Sequence, residues 1–105
     1  MPKDFAVYIE SSRSRSIYVG VSSNLVGRVY KHKTKAFGGH TAKYNINRLV
    51  YFERQPTADE AITREKEIKK WRRELKVALI EADHPTWDDL SADWYDDLAS
   101  LKDAS

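Results

Sequence analysis

Phe5-Ala6-Val7-Tyr8-Ile9-Glu10-Ser11-Ser12-Arg13-Ser14-Arg15-Ser16-Ile17-Tyr18-Val19-Gly20-Val21 is the stretch on which the fold turns. Phe5, Val7 and Ile9 alternate with Ala6, Tyr8 and Glu10, the period-two pattern of a half-buried strand, and Ile17, Val19 and Val21 repeat it around Tyr18 and Gly20. Between the two runs, Ser11 to Ser16 is polar with nothing to bury, so the pair is predicted to form a hairpin with a basic loop. Tyr8 and Tyr18 then leave the apolar face together and are expected on one side of the sheet.

Working outward from the hairpin, Ser22 and Ser23 offer N-caps, and Leu25, Val29 and Tyr30 predict a helix to about Lys35, broken by Phe37-Gly38-Gly39-His40. Leu49-Val50-Tyr51-Phe52 has β-branched and aromatic character and predicts a third strand from Arg48 to Arg54. Thr57, with Glu60 three residues on, forms a capping box that starts a long helix. Ala61, Ile62, Ile68, Trp71, Leu75 and Leu79 continue its stripe to about Ala82, with a break near Arg72-Arg73, and Pro85 ends it. Thr86 with Asp89 marks a further helix start, and Trp87, Leu90, Trp94, Leu98 and Leu101 form its apolar stripe on an acidic background. The expected fold is a single α/β domain of the α+β kind, a three-stranded, mainly antiparallel sheet flanked by helices. It spans residues 1–83, with an acidic helical extension over 84–105 packing on the same domain.

A chain of 105 residues can bury one modest core. No cysteine occurs, which excludes disulfides, a thiolate zinc site and a cysteine nucleophile. No apolar run approaches the roughly 18 residues needed to span a bilayer, and Met1-Pro2-Lys3-Asp4 lacks the apolar segment of a signal peptide, so a cytosolic protein without a membrane partner is expected. The net charge of +2 hides an asymmetry: up to Ile80 there are 17 Lys and Arg against 8 Asp and Glu, and beyond it 1 against 8. A body at +9 suits a polyanion, because each phosphate it neutralises releases counterions; the plain alternative is a solvated lysine-rich surface.

Two constellations carry possible chemistry. Glu65 lies three residues after Ile62 and three before Ile68, inside the apolar stripe, where an unpartnered carboxylate costs several kcal/mol; it must be neutralised, paired in a salt bridge or bound to a cation. On the first helix, Arg28 and His32 are four apart on one face, with Lys31 and Lys35 offset from them. Arg can fork onto a phosphate and His can transfer a proton near neutral pH, although a basic solvated face has the same spacing.

Tyrosine and glycine spacing joins these features. Ala6-Val7-Tyr8 is followed, ten residues after Tyr8, by Tyr18-Val19-Gly20, a pattern that resembles the GIY-YIG nuclease signature. In that family two strands carry the tyrosines and the next helix carries an Arg. Arg28 stands ten residues beyond Tyr18, and His32 follows one turn later, where family members have His or Tyr. Ala61-Ile62-Thr63-Arg64-Glu65 matches the segment bearing the family's metal-binding Glu. Tyr44-Asn45, Leu49-Val50-Tyr51, Arg64-Glu65-Lys66 and Ile68-Lys69 resemble the small stand-alone bacterial members, and the likeness covers residues 5 to about 90. Two departures stand out: Ala6 replaces the first motif glycine, and Val21 sits where repair-type members often carry Lys.

The resemblance implies a metal-dependent DNA endonuclease with Tyr8, Tyr18, Arg28, His32 and Glu65 as catalytic residues. In that scheme one tyrosine, helped by His32, activates water, while Arg28 and a Mg²⁺ or Mn²⁺ ion on Glu65 stabilise charge at phosphorus. Gly20, Lys31, Lys35, Lys43, Tyr44 and Lys69 are expected to line the substrate. Gly27 is expected to permit close helix packing. Trp71, Trp87 and Trp94 are expected to be structural, and His40 and His84 loop residues. Monomer and weak homodimer both remain open, as do two other classes: a DNA-binding module without turnover, and an interaction protein using its acidic tail.

Overall fold

The computed structural model describes residues 5–34 and 43–95. Lys35, the Phe37 to His40 break, Asp96, Leu98 and Leu101 therefore lie outside the described residues. Three strands, β1 (Phe5–Ser11), β2 (Ile17–Ser22) and β3 (Arg48–Gln55), form one antiparallel sheet in the order β2-β1-β3. The helices are α1 (Leu25–Lys33), α2 (Ala58–Lys70) and α3 (Arg73–Asp83). None of the described helices is long and apolar enough to cross a membrane.

The hairpin closes as its composition dictates. Ser12 Oγ accepts from Ser16 N at 3.0 Å, Arg15 N donates to Ser12 O at 3.0 Å, and Arg15 adopts a left-handed φ of 68°. Tyr8 pairs with Gly20 and Glu10 with Tyr18, so the alternation places Tyr8, Glu10 and Tyr18 on one face. That face is not solvated. Ala6, Tyr8, Leu25, Val29 and Leu49 form a core there, and Tyr8 is only 1% exposed. The opposite face buries Val7, Ile9, Val19 and Val50 beneath Ala61, Ile68 and Ile80 of α2 and α3. Both faces are covered, so period-two patterning identified the strands but not an open side.

Strand β3 lacks alternation in sequence because it carries a bulge. Pairing passes from Ile9↔Tyr51 to Glu10↔Leu49, leaving Val50 as the extra residue. Val50 and Tyr51 consequently both pack against the Val7 core, while Leu49 and Phe52 serve the tyrosine face.

Thr57 caps α2 as its sequence suggested, its hydroxyl accepting from Glu60 N at 3.2 Å. The cap of α1 is Asn24 and not the two serines before it: Asn24 Oδ1 accepts from Gly27 N at 3.1 Å. A Cβ on Gly27 would come within 2.5 Å of the Asn24 side-chain nitrogen, so this glycine makes room for the cap and not for a packed neighbouring helix. Extended backbone at Trp71 and Arg72 separates α2 from α3 and lets Trp71 pack against the core.

Residues 85–95 form successive turns, where a helix was expected. Two of their hydrogen bonds go to the sheet. Asp89 Oδ1 accepts from Leu49 N at 3.1 Å, and Leu90 N donates to Leu49 O at 2.8 Å, so this strap satisfies both backbone groups of Leu49 on the free edge of β3. Trp87, with φ of 59°, enters the Val7 core, whereas Leu90, Trp94 and Tyr95 pack against the tyrosine face. An amphipathic spacing thus serves two faces of a sheet rather than one face of a helix.

Candidate active site

Strands β1 and β2 deliver two tyrosines to one place, and α1 lays His32 across them. The Tyr8 and Tyr18 ring centroids are 6.2 Å apart. His32 lies 6.4 Å from Tyr8 and 5.8 Å from Tyr18, meeting the latter edge-on at 87°. Gly20 fits between the two tyrosines: a Cβ there would meet Tyr8 Oη at 2.5 Å and Tyr18 Cε1 at 3.0 Å. The close approach this glycine permits is therefore to the tyrosine rings.

Burial separates the two phenols. Tyr8 is enclosed and Tyr18 half-buried. Burial, together with the nearby Tyr18 and Glu10, pushes the Tyr8 hydroxyl far above its ordinary range, against the pull of the Arg28 guanidinium, and the Tyr18 hydroxyl is its hydrogen-bond partner. Arg28 is exposed on α1, and its charge reaches the Tyr8 hydroxyl.

A residue missed in the sequence completes the group. Glu10 is fully buried on β1, and its Oε1 is hydrogen-bonded to Nδ1 of His32, itself only 6% exposed. Its other oxygen, Oε2, is buried with no hydrogen-bond partner among the described residues. Burial raises the Glu10 carboxyl above the ordinary carboxylate range, opposed by the bond to His32 and the charge of Lys33. The available signal was its parity with Tyr8 on a strand: a glutamate in a stretch otherwise fit for burial.

Glu65 comes from the other side of the sheet. Helix α2 packs on the Val7 face, and Glu65, 14% exposed, pairs with Lys69 at 2.7 Å. Ile62 is 41% exposed, so the buried stripe runs through Ala61 and Ile68, with Glu65 at its margin. Lys69, expected at the substrate, is thus the ion-pair partner of the expected metal ligand. A cleft of ≈ 220 Å³ is lined by Arg28 of α1, Ala58 and Ile62 of α2, and Phe5, Val21 and Ser22 of the sheet. Glu65 stands one turn beyond Ile62 on this helix. Lys31 is exposed on α1, and the Lys43 ammonium sits 5.4 Å above the ring of Tyr44. No three His, Cys, Asp or Glu side chains converge among the described residues.

The sequence profile described as the GIY-YIG catalytic domain matches residues 5–77. The chain belongs to the GIY-YIG family. It is 39% identical over 85 residues to a UPF0213 protein of Staphylococcus epidermidis, a match covering 77% of this chain and 98% of that protein. A UPF0213 protein of Staphylococcus haemolyticus is 37% identical over 79 residues, covering 71% of this chain and 92% of its own. The solution NMR structure of a UPF0213 protein from Bacillus halodurans shares the fold, with a TM-score of 0.53 at 24% identity, covering 85% of this chain and 96% of that one. A GIY-YIG domain implies a nuclease-type function on nucleic acid, a class that generally uses divalent metals. The match ends at residue 77, so the strap over 85–95 lies beyond the GIY-YIG region.

Proposed function

We propose that this GIY-YIG protein is a divalent-metal-dependent endonuclease that hydrolyses phosphodiester bonds in DNA. The observation that carries this reading is the grouping of two phenols and an imidazole on one face, within the field of Arg28. Tyr18 is the better placed base. It is half-buried and nearer solvent, whereas Tyr8, held protonated by burial, donates its O–H to Tyr18 and so stabilises a phenolate there. Phenol is a poor base at its reference pKa of about 10, which is why Tyr18 needs both that donor and a proton acceptor. His32 is the acceptor. As water attacks phosphorus in line, its proton passes to Tyr18 and the Tyr18 proton to His32, while the bond to the leaving oxygen breaks. Arg28 forks onto the phosphate and opposes the growing negative charge.

With no group of three or more His, Cys, Asp or Glu ligands among the described residues, a single carboxylate would hold an ion completed by waters and phosphate oxygens, the usual magnesium arrangement, and Glu65 is the residue that would supply it. The ion, Mg²⁺ or Mn²⁺, supplies positive charge beside the phosphate when bound. Lys31, Lys43 and Tyr44, with Lys35, would track the flanking backbone, and Lys69 would release Glu65 when the cation enters.

Cleavage of duplex, flap, junction and single-stranded DNA with Mg²⁺ or Mn²⁺ tests the reading. Glu65→Gln and Arg28→Ala should each lower cleavage at least about 10²-fold while circular dichroism stays unchanged, because each removes charge stabilisation more than packing. A folded Glu65→Gln protein cutting at the wild-type rate would remove Glu65 from the mechanism. The Glu65–Lys69 ion pair favours a second reading, a DNA-binding module without turnover, since that carboxylate is already neutralised. Binding without cutting on every substrate would select it.

A further inference from the structure

We infer that Glu10 is a positioning residue for the reaction: it accepts a hydrogen bond from Nδ1–H of His32, leaving Nε2 as the nitrogen that accepts the tyrosine proton. This rests on the nuclease reading for its consequence but not for its geometry.

Stability alone gives no reason for a carboxylate at this position. Glu10 is fully buried near the C-terminal end of β1, flanked by Ile9 and Ser11 and paired across the ladder with Tyr18 and Leu49. Replacing a buried ion pair with apolar residues of similar volume is often neutral or stabilising, and an orphaned oxygen makes burial costlier still. The charged and titratable groups facing Glu10 are Tyr8 on β1, Tyr18 on β2, His32 and Lys33 on α1, and Asp89 and Tyr95 on the strap. Lys33 is bound to Asp89 and to Asn47 O, which leaves His32 as the hydrogen-bonded partner of Glu10.

The chemistry follows from the contact. A neutral imidazole has one N–H, and a carboxylate on Nδ1 holds the proton there. The lone pair is then on Nε2. When Nε2 takes up the tyrosine proton, the ring becomes a cation beside a buried anion, so Glu10 opposes the cost of creating charge in a closed site. A carboxylate behind a catalytic histidine works in this way in serine hydrolases, where it orients the ring and is not itself protonated.

The test separates this inference from the nuclease reading. Nitrogen-detected NMR of the full-length protein at alkaline pH should find the His32 ring proton on Nδ1. In Glu10→Gln, which keeps volume, removes charge and can donate to Nδ1, a share of the His32 ring should carry its proton on Nε2 instead. Neither readout needs cleavage. On a DNA substrate cut by the wild type, Glu10→Gln should slow the single-turnover rate between about tenfold and 10⁴-fold, with thermal stability held or raised. A wild-type proton on Nε2, or a proton left wholly on Nδ1 in Glu10→Gln, overturns the inference. If both NMR results hold and no substrate is cut, the dyad stands and the nuclease reading falls.

Discussion

Gly20 faces Tyr8 across the β1–β2 ladder, and a methyl group there would meet Tyr8 Oη at 2.5 Å and Cζ at 2.6 Å. The ring is enclosed and has nowhere to retreat. Gly20→Ala should therefore cost about 1–3 kcal/mol, as overpacked cores do, and lower cleavage because the displaced phenol loses Tyr18. Urea unfolding checks the first part; an unchanged midpoint would mean that Tyr8 yields freely. Tyr8 also makes a signed pH prediction. Burial raises its folded-state pKa above the ordinary 10.0, so the native state holds the proton more tightly than the unfolded chain. That stabilisation is complete below pH 10.0 and is lost as pH rises through the folded value. Tyr51 is also raised and Tyr95 is pushed up to about 12, but both titrate in Tyr8→Phe as well. Unfolding free energy above pH 10.0 should thus fall more steeply in wild type than in Tyr8→Phe, and parallel curves would contradict it.

Among the elements, the strap concentrates its side-chain hydrogen bonding to the sheet in Asp89. Asp89 accepts from Leu49 N, from Ser91 N at 2.9 Å and from Ser91 Oγ at 2.6 Å, and it pairs with Lys33. Burial alone would raise its carboxyl; Lys33, Ser91 and the Leu49 amide together outweigh that and hold it below the ordinary range. A lowered folded-state pKa gives stability that is present above the unfolded value of 3.8 and is lost as pH falls through the lower folded-state value. Asp89→Asn should cost about 1–3 kcal/mol at neutral pH, since Lys33 loses its counter-charge, and Trp87 and Trp94 fluorescence should report loosening of the strap. The margin between the two proteins should shrink as pH falls below about 3.8 and be lost once pH has passed the lower folded-state value. A margin that persists there would assign the effect to shape and not to charge.

For the whole molecule, charge asymmetry and packing make opposite demands on the C-terminal segment. A chain ended at Ala82 would lose Trp87 from one core and Leu90, Trp94 and Tyr95 from the other, so it should unfold at lower temperature or without cooperativity. Charge must be tested without deletion. Asp88 and Asp93 are exposed, unlike Asp89, and converting both to Asn reduces the acidic field over the basic body without disturbing the strap. At low salt this variant should bind DNA more tightly, with a steeper fall of log affinity against log salt, because exposed charges within about 8 Å still compete with phosphates at physiological salt. Identical salt slopes would leave the segment as packing alone.

Local rules made the hairpin, the Thr57 cap and the tyrosine spacing legible, because strand alternation, capping and motif intervals are set by residues within a few positions of one another. The sequence by itself also determined that two tyrosines, Arg28 and His32 would be carried by adjacent elements. Tertiary structure alone decided what depends on the far side of a contact. It made Asn24 the cap of α1, turned the strap away from helix because the free edge of β3 needed Asp89 and Leu90, and gave Glu65 a partner in Lys69. Most of all it decided the fate of Glu10, read in the sequence only as a strand residue opposite the apolar face. Glu10 and His32 are 22 residues apart, and their bond exists because α1 and the strap close the tyrosine face. Pattern specifies which side of a strand a residue takes; only packing decides whether that side meets water.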